Sequence, residues 1–250
     1  MILPLLLGVA SALAPRRCAL CKASQPPAAQ EQPRAESFGG RLCGPCARAL
    51  EPIAAACPAC GLGRGKFHAP APRCGVCRAD PKRGIETTVA LLRYRGAGRR
   101  LLHAVKYARR EDLGAPLGQA LGERVLMTAP EQERPAPDLV VPVPLHWWRR
   151  WRRGFNQAAL VGEGVGAVLG RPVLEVLSRR RATPALFGIE RQAREAIVGG
   201  AFAVRTPAEV RGATILLVDD IRTSGATLRA AAAALLGAGA ARVDAAVVAR

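Results

Sequence analysis

TILLVDDIRTSGATLR, Thr214–Arg229, decides the fold. Thr214–Val218 is a continuous apolar, β-rich run, the pattern of a strand buried on both faces. It delivers two carboxylates, Asp219 and Asp220, to its C-terminal end, where open parallel sheets bind ligands. Thr223-Ser224-Gly225-Ala226-Thr227 then opens an Ala-rich helix over Thr227–Leu236, stopped by Gly237 and Gly239. Backbone N–H groups, hydroxyls and the helix dipole converge there on an anion, and Gly225 permits close backbone approach. Acids placed for a vicinal diol, followed by a hydroxyl-lined nest, describe a cradle for a phosphorylated ribose. Asp-Asp or Thr-Ser-Gly alone would suit an ordinary capped helix. Strand, paired acids, spacing and hydroxyl-rich helix start together are specific.

The same alternation extends outward. Ile85–Tyr94 suits a strand, Arg99–Tyr107 and Leu113–Met127 suit helices, and Leu139–Pro144 (LVVPVP) is a short buried strand bounded by prolines. Asn156–Leu169 has helical apolar spacing and ends at Gly170, while Val243–Val248 is a final strand. Strands alternating with helices predict an α/β fold with a mainly parallel sheet flanked by helices.

Residues 16–82 differ in kind, since they hold all eight cysteines. These fall into four CxxC pairs, Cys18/Cys21, Cys43/Cys46, Cys57/Cys60 and Cys74/Cys77. A CxxC turn sets two thiolates at two corners of a tetrahedron, so four turns complete two Cys₄ zinc sites. Such closed sites leave no open coordination position and are structural, replacing a core that so short a segment could hardly build. Sequential pairing is simplest, and interleaved pairing stays open. A disulfide framework, redox dithiols or an iron–sulfur cluster fit four equivalent pairs less well. The predicted organisation is therefore an N-terminal helix over 1–17, a double zinc-ribbon module over 18–80 and an α/β domain over 85–250. Residues 23–41 read as a loop between cysteine pairs and Asp80–Gly84 as a turn-rich linker.

Half of the 250 residues are hydrophobic, enough for a substantial core, but only 4% are aromatic, so Ala, Leu and Val must build it. Formal net charge is +18, or about +14 once eight thiolates hold two divalent ions, and favours anionic partners. Met1–Pro15 (MILPLLLGVASALAP) superficially resembles a signal peptide, yet Arg16 and Arg17 follow the apolar run and none precedes it. It is too short for a stable membrane span and reads as an amphipathic helix packed on a cytoplasmic protein.

His146–Arg153 (HWWRRWRR) holds all three tryptophans and follows a strand that should end near the cradle. Arginines beside aromatic rings suit single-stranded nucleic acid. The expectation is that Trp147 and Trp151, four apart, pack on one helical face while the arginines are solvated. Arg153, beside Gly154, is the best phosphate contact. Lys106 suits either an anion contact or a solvated cation at a helix end. His68, His103 and His146 lack metal-ligand spacing, and Arg179–Arg181 reads as a solvated face.

The segment Asp219–Thr227 resembles the binding motif for phosphoribosyl pyrophosphate (PRPP) in type I phosphoribosyltransferases. The resemblance widens to the ComF family through Val140–Gln157 (VVPVPLHWWRRWRRGFNQ), Leu102–Tyr107 (LHAVKY), Val247–Arg250 (VVAR) and the cysteine pairs. It implies a Mg²⁺–PRPP complex with the ribose on Asp219 and Asp220 and the 5-phosphate on Thr223, Ser224, Gly225, Ala226 and Thr227. The pyrophosphate would lie against Lys106, Arg153 and Gly154, and the reaction implied is phosphoribosyl transfer, with no general base assigned. A link to competence and DNA uptake is also implied, with single-stranded DNA or DNA-processing proteins as partners. The family usually carries Thr, Gln, Arg and Asn before a Gly-Ala-Phe turn. Thr183, Arg194 and Gly200-Ala201-Phe202 match, whereas Leu186 replaces Gln and Ile197 replaces Asn. That region corresponds to the mobile loop that closes over the reacting centre, so the departures bear on turnover.

Overall fold

A computed structural model describes residues 17–24, 38, 40–64, 73–79, 84–107, 110–129, 135–181 and 199–250. The expected N-terminal helix, most of the 23–41 loop, most of the Asp80–Gly84 linker, and Thr183, Leu186, Arg194 and Ile197 lie outside the described residues.

Four strands form a parallel sheet: β1 (Thr88–Leu92), β2 (Leu139–Pro142), β5 (Thr214–Ile221) and β6 (Arg242–Ala249), in the order β1-β6-β5-β2. β5 and β6 are central and read as apolar runs because both of their faces are covered. Period-2 geometry divides their side chains between two cores. Leu216, Val218, Ala246 and Val248 face one core, with Val140 from β2. Ile215, Leu217, Ala245 and Val247 face the other, with Val141.

The first core is roofed by α3 (Gly96–Tyr107), α4 (Gly114–Thr128) and α6 (Gln157–Leu169). α4 and α6 pack backbone to backbone because their contact is built from glycine. A Cβ on Gly118 would lie 2.1 Å from the Val161 carbonyl oxygen, and one on Gly164 would lie 2.3 Å from that of Ala115. The second core is closed by α8 (Ala226–Gly237), the four-residue α7 (Pro207–Val210) and an antiparallel pair, β3 (Leu177–Arg179) with β4 (Phe202–Val204). The sequence pattern did not announce β3 and β4, since three residues are too few for a period.

The cysteine region contributes the short helices α1 (Gly44–Arg48) and α2 (Gly75–Ala79) and is built into the body of the protein. Cys18, Leu42, Ala47 and Leu50 are buried in the first core. Glu51–Ile53 lies along the outer edge of β1: Ile53 N–H donates to the Leu91 carbonyl at 3.0 Å, and Arg93 N–H donates to that of Glu51 at 2.8 Å. Pro52 sits opposite Leu92 in this bridge. Arg124 on α4 pins the segment, donating to the Ile53 and Ala54 carbonyls at 2.9 and 2.8 Å.

Candidate functional site

The site lies at the C-terminal end of β5, where Asp219 and Asp220 run past the end of β2 while β5 stays paired with β6. Adjacent strand residues point to opposite faces, so the two carboxylates meet different neighbours. Asp220 pairs with Lys106 at 2.8 Å, and both side chains are largely buried. Burial opposes the Lys106 charge, but Asp220 outweighs it and holds the ammonium above its usual range. Lys106 is therefore not the solvated helix-end cation that its position on α3 suggested. Asp219 faces Arg179 across the strand. Burial, followed by the charge of Asp220, pushes its carboxyl up to about 8, against relief from Asp220 N–H, Lys106 and Arg179.

The residues that follow form a tight entry to α8. Gly225 is its N-cap with φ +82°, a left-handed conformation that glycine adopts without strain. Ser224 Oγ accepts from Ala226 N–H at 3.4 Å. Arg229 donates to the Ser224 carbonyl at 2.9 Å, and Arg250 donates to that of Thr223. The helix start is thus held from outside by two arginines, while Thr223 stays exposed and Ser224 and Thr227 partly so.

The loop after β2 supplies the opposite wall. α5 (Trp147–Arg153) is capped by His146, whose Nδ1 accepts from Trp148 N–H at 3.4 Å. Gly154, with φ +86°, ends it. Asn156 then caps α6 through Ala158 N–H and ties back to the Val143 carbonyl at 3.2 Å. The RGFNQ run is thereby a helix stop followed at once by a helix start. Arg153 is held between Gln157 Oε1, at 3.2 Å, and the ring of Tyr107, at 5.3 Å from its centroid. Its charge acts on Lys106, and that of Arg149 acts on Arg179. Lys106 and Arg179 thus act directly on the acids, and Arg153 and Arg149 act in turn on those two cations.

Two sequence readings need correction. The tryptophans do not pack inward: Trp147, Trp148 and Trp151 are 67%, 50% and 74% exposed, and it is Trp148 and Trp151 that stack, at 5.3 Å. Three residues apart on a helix, these two rings reach each other while α5 buries nothing. Arg180 and Arg181 are exposed as expected, but Arg179 is partly buried, with its guanidinium over the Phe202 ring at 5.3 Å. Sequence reasoning also passed over Arg222 and Arg250. Arg222 stood as a mere spacer between acids and hydroxyls, although a charged residue that ends a fully buried strand is itself a signal.

The cysteines group sequentially. Cys18, Cys21, Cys43 and Cys46 form one cluster and Cys57, Cys60, Cys74 and Cys77 the other, with the four Sγ atoms of each within 4.8 Å of one another. All eight are free of disulfides. In the second cluster, hydrogen bonding from Cys60, opposed by burial, holds the Cys57 thiol down at about 3. In the first, Cys18 is brought to about 6 by backbone N–H groups of Cys21, Cys43 and Leu20 that overcome its burial. Cys43, Cys46 and Cys60 are pushed up, by burial and by their neighbours' sulfur. Four thiols so close cannot all ionise unaided, and a divalent cation removes that conflict. Both clusters fit the donor set of a closed tetrahedral site and could hold zinc ions. Among the described residues, no helix is long and apolar enough to cross a membrane.

Comparison with known proteins agrees with this geometry. Residues 166–250 match the phosphoribosyl transferase domain family. The DNA utilization protein YhgH of Salmonella typhi is 34% identical over 92% of this chain and 95% of its own length. Competence protein F of Haemophilus influenzae is 26% identical over 75% of this chain and 80% of its own. Among solved structures, the glutamine PRPP amidotransferase of B. subtilis, complexed with ADP and GMP, overlaps 54% of this chain and a quarter of its own. That overlap has a TM-score of 0.35 and 20% identity, too low to bear on the assignment. The YhgH likeness runs through the cysteine clusters and the sheet alike, and by it the chain belongs to the ComF family.

Proposed function

We propose that this protein binds Mg²⁺–PRPP at the end of β5 and transfers its phosphoribosyl group to an acceptor. The observation that carries the reading is the Lys106–Asp220 ion pair beside Asp219, directly ahead of the Thr223–Thr227 helix start; in this reading Arg149, Arg153 and Arg179 complete a basic ring. In this reading the ribose hydroxyls hydrogen-bond to Asp219 and Asp220. The 5-phosphate takes the N–H groups and hydroxyls of Thr223–Thr227, and the pyrophosphate lies against Lys106, Arg153 and Gly154. Displacement at the anomeric carbon builds positive charge on the sugar and negative charge on the departing pyrophosphate, which Mg²⁺ and the basic ring would stabilise. The two Cys₄ clusters hold structural zinc. The relatives' names, DNA utilization protein and competence protein F, support reading the reaction as part of DNA utilisation or competence. Mg²⁺-dependent PRPP binding to wild type, and its loss in Asp219→Asn/Asp220→Asn, tests the site; equal affinity in both proteins refutes it. A PRPP-dependent pyrophosphate-release screen against bases and amines then tests turnover.

The exposed tryptophans favour a second reading, in which α5 and the zinc ribbons hold single-stranded DNA and the ribose site senses a nucleotide without turnover. Salt-dependent single-strand binding that survives loss of the Asp pair supports it, and absence of binding at low salt rejects it.

A further inference from the structure

Arg222 is 2% exposed, among the most buried large side chains of the protein. Its backbone continues β5 by donating to the Ala249 carbonyl at 3.0 Å, and its Nη1 donates to Thr88 Oγ1. Nε and Nη2 are enclosed with no hydrogen-bond partner among the described residues. Burial opposes its charge; Cys60 and Cys77, once ionised on a metal, would attract it, and Arg250 and Arg229 repel it. A buried cation is costly unless an anion balances it. Four thiolates around one divalent ion carry a net charge of about −2, and that anion lies on the side of Arg222 where the attraction comes from.

The surroundings join this arginine to both neighbours. Thr88 Oγ1, which accepts from Arg222, also donates to the Ala59 carbonyl at 3.1 Å, and Thr88 N–H donates to that of Pro58 at 2.6 Å. The Cys57–Cys60 knuckle is thereby fixed to β1 at the same threonine. On the other side, a Cβ on Gly225 would lie 2.9 Å from Arg222 Nε. Arg250 runs parallel, with Nε on the Cys60 carbonyl at 3.1 Å and Nη1 on the carbonyls of Arg222 and Thr223. Among the described residues the first cluster has no equivalent. Arg110, whose charge faces Cys18, is already neutralised by bidentate hydrogen bonds to Asp112 at 2.7 and 2.8 Å.

We propose that Arg222 is a positioning residue that balances the metal-loaded second cluster and, by doing so, fixes the helix start Thr223–Thr227. Metal in that cluster would then govern the order of the phosphate loop, while metal in the first would not. The proposal rests on the phosphate-loop reading only for its consequence; the coupling itself is measurable without PRPP.

The test uses the full zinc-loaded chain, with Arg222→Met and Arg222→Lys. Zinc transfer to a colorimetric chelator is followed in time, and amide exchange of residues 223–227 is followed in parallel. Loss of the balancing charge is expected to speed release of one of the two ions by about 10–100-fold, the usual effect of removing a supporting partner. The other ion should leave at the wild-type rate, exchange at 223–227 should accelerate with the first, and Arg222→Lys should restore both. Equal acceleration of both ions, wild-type release in Arg222→Met, faster release with unchanged loop exchange, or lysine no better than methionine overturns the proposal. Should Arg222→Met fail to fold, wild type titrated with chelator carries the test. Loop exchange must then rise with loss of the ion whose departure opens Cys57, Cys60, Cys74 and Cys77 to alkylation, and an unchanged loop after that loss, or a rise on loss of the first-cluster ion alone, overturns it. Asp219→Asn/Asp220→Asn is expected to leave zinc release unchanged, so failure of the PRPP reading is seen separately from failure of the coupling.

Discussion

Replacing Gly225 with alanine probes the Thr223–Thr227 helix start at its most constrained point. Two costs add. A non-glycine residue at φ +82° carries a conformational penalty of about 1 kcal/mol. The new methyl would also meet Arg222 Nε at 2.9 Å, Arg222 Nη2 at 3.1 Å and Arg229 Nη1 at 3.1 Å. Arg229 is partly exposed and can swing away, but Arg222 is enclosed and tied to Thr88, so the second cost is that of overpacking, about 1–3 kcal/mol. The expected total is about 2–4 kcal/mol. Gly170 supplies the control, since its φ is +61° and a Cβ there would meet nothing within 4 Å. Gly170→Ala should therefore cost about 1 kcal/mol, from conformation alone. Urea unfolding of the three proteins in zinc-buffered solution, with equal m values, gives both differences. Losses that agree to within about 0.5 kcal/mol would mean that Arg222 yields freely, and the constrained-loop argument would be wrong.

Asp219 carries a pH prediction. Its carboxyl stands at about 8, above an unfolded value of about 3.9, so the stability it contributes is complete below the unfolded value and is lost as pH rises through about 8. A ligand that needs the carboxylate must displace that proton. Mg²⁺–PRPP affinity should climb by up to about tenfold per pH unit below 8 and level off above, and Asp219→Asn should flatten the profile; an unchanged slope in that variant refutes the assignment. Gly118→Ala, whose methyl would fall 2.1 Å from the Val161 carbonyl oxygen, should force α4 and α6 apart at a cost of about 3 kcal/mol or more, read by thermal or urea unfolding. Trp148→Ala/Trp151→Ala should change stability by under about 0.5 kcal/mol per residue, both rings being exposed, yet weaken single-stranded DNA binding by about 1–3 kcal/mol per stacked base. Fluorescence anisotropy at two salt concentrations checks the second half.

The sheet was legible because β5 and β6 are long and continuous in their apolar character, and α6 and α8 because their spacing ends at glycines. The acids and hydroxyls of the cradle were legible because they are adjacent in sequence. What the sequence concealed is what distance in the chain conceals. Arg222 finds Thr88 134 residues away, and no local pattern announces such a partner. Lys106 shows its true neighbour, Asp220, only once α3 lies against the sheet. The i, i+4 spacing of Trp147 and Trp151 is a valid helical period, yet period alone does not say whether a face has anything to pack on. Glu51–Ile53 is too short to read as a strand, and it makes its single bridge, Pro52 to Leu92, only because β1 offers it an edge.

That edge has a consequence for the fate of the protein in the cell. β1 is one of the sheet's two edge strands, and an open edge is a template on which another chain can build. Glu51–Ile53 answers its peptide groups, and Pro52, which has no N–H to offer, ends the ladder there. The stretch that performs this service hangs between two cysteine clusters, so their folding would help to hold it in place. A chain starved of metal would thus lose its guard against sticking to its neighbours, and scarcity of zinc would surface as insoluble protein well before any reaction could be missed.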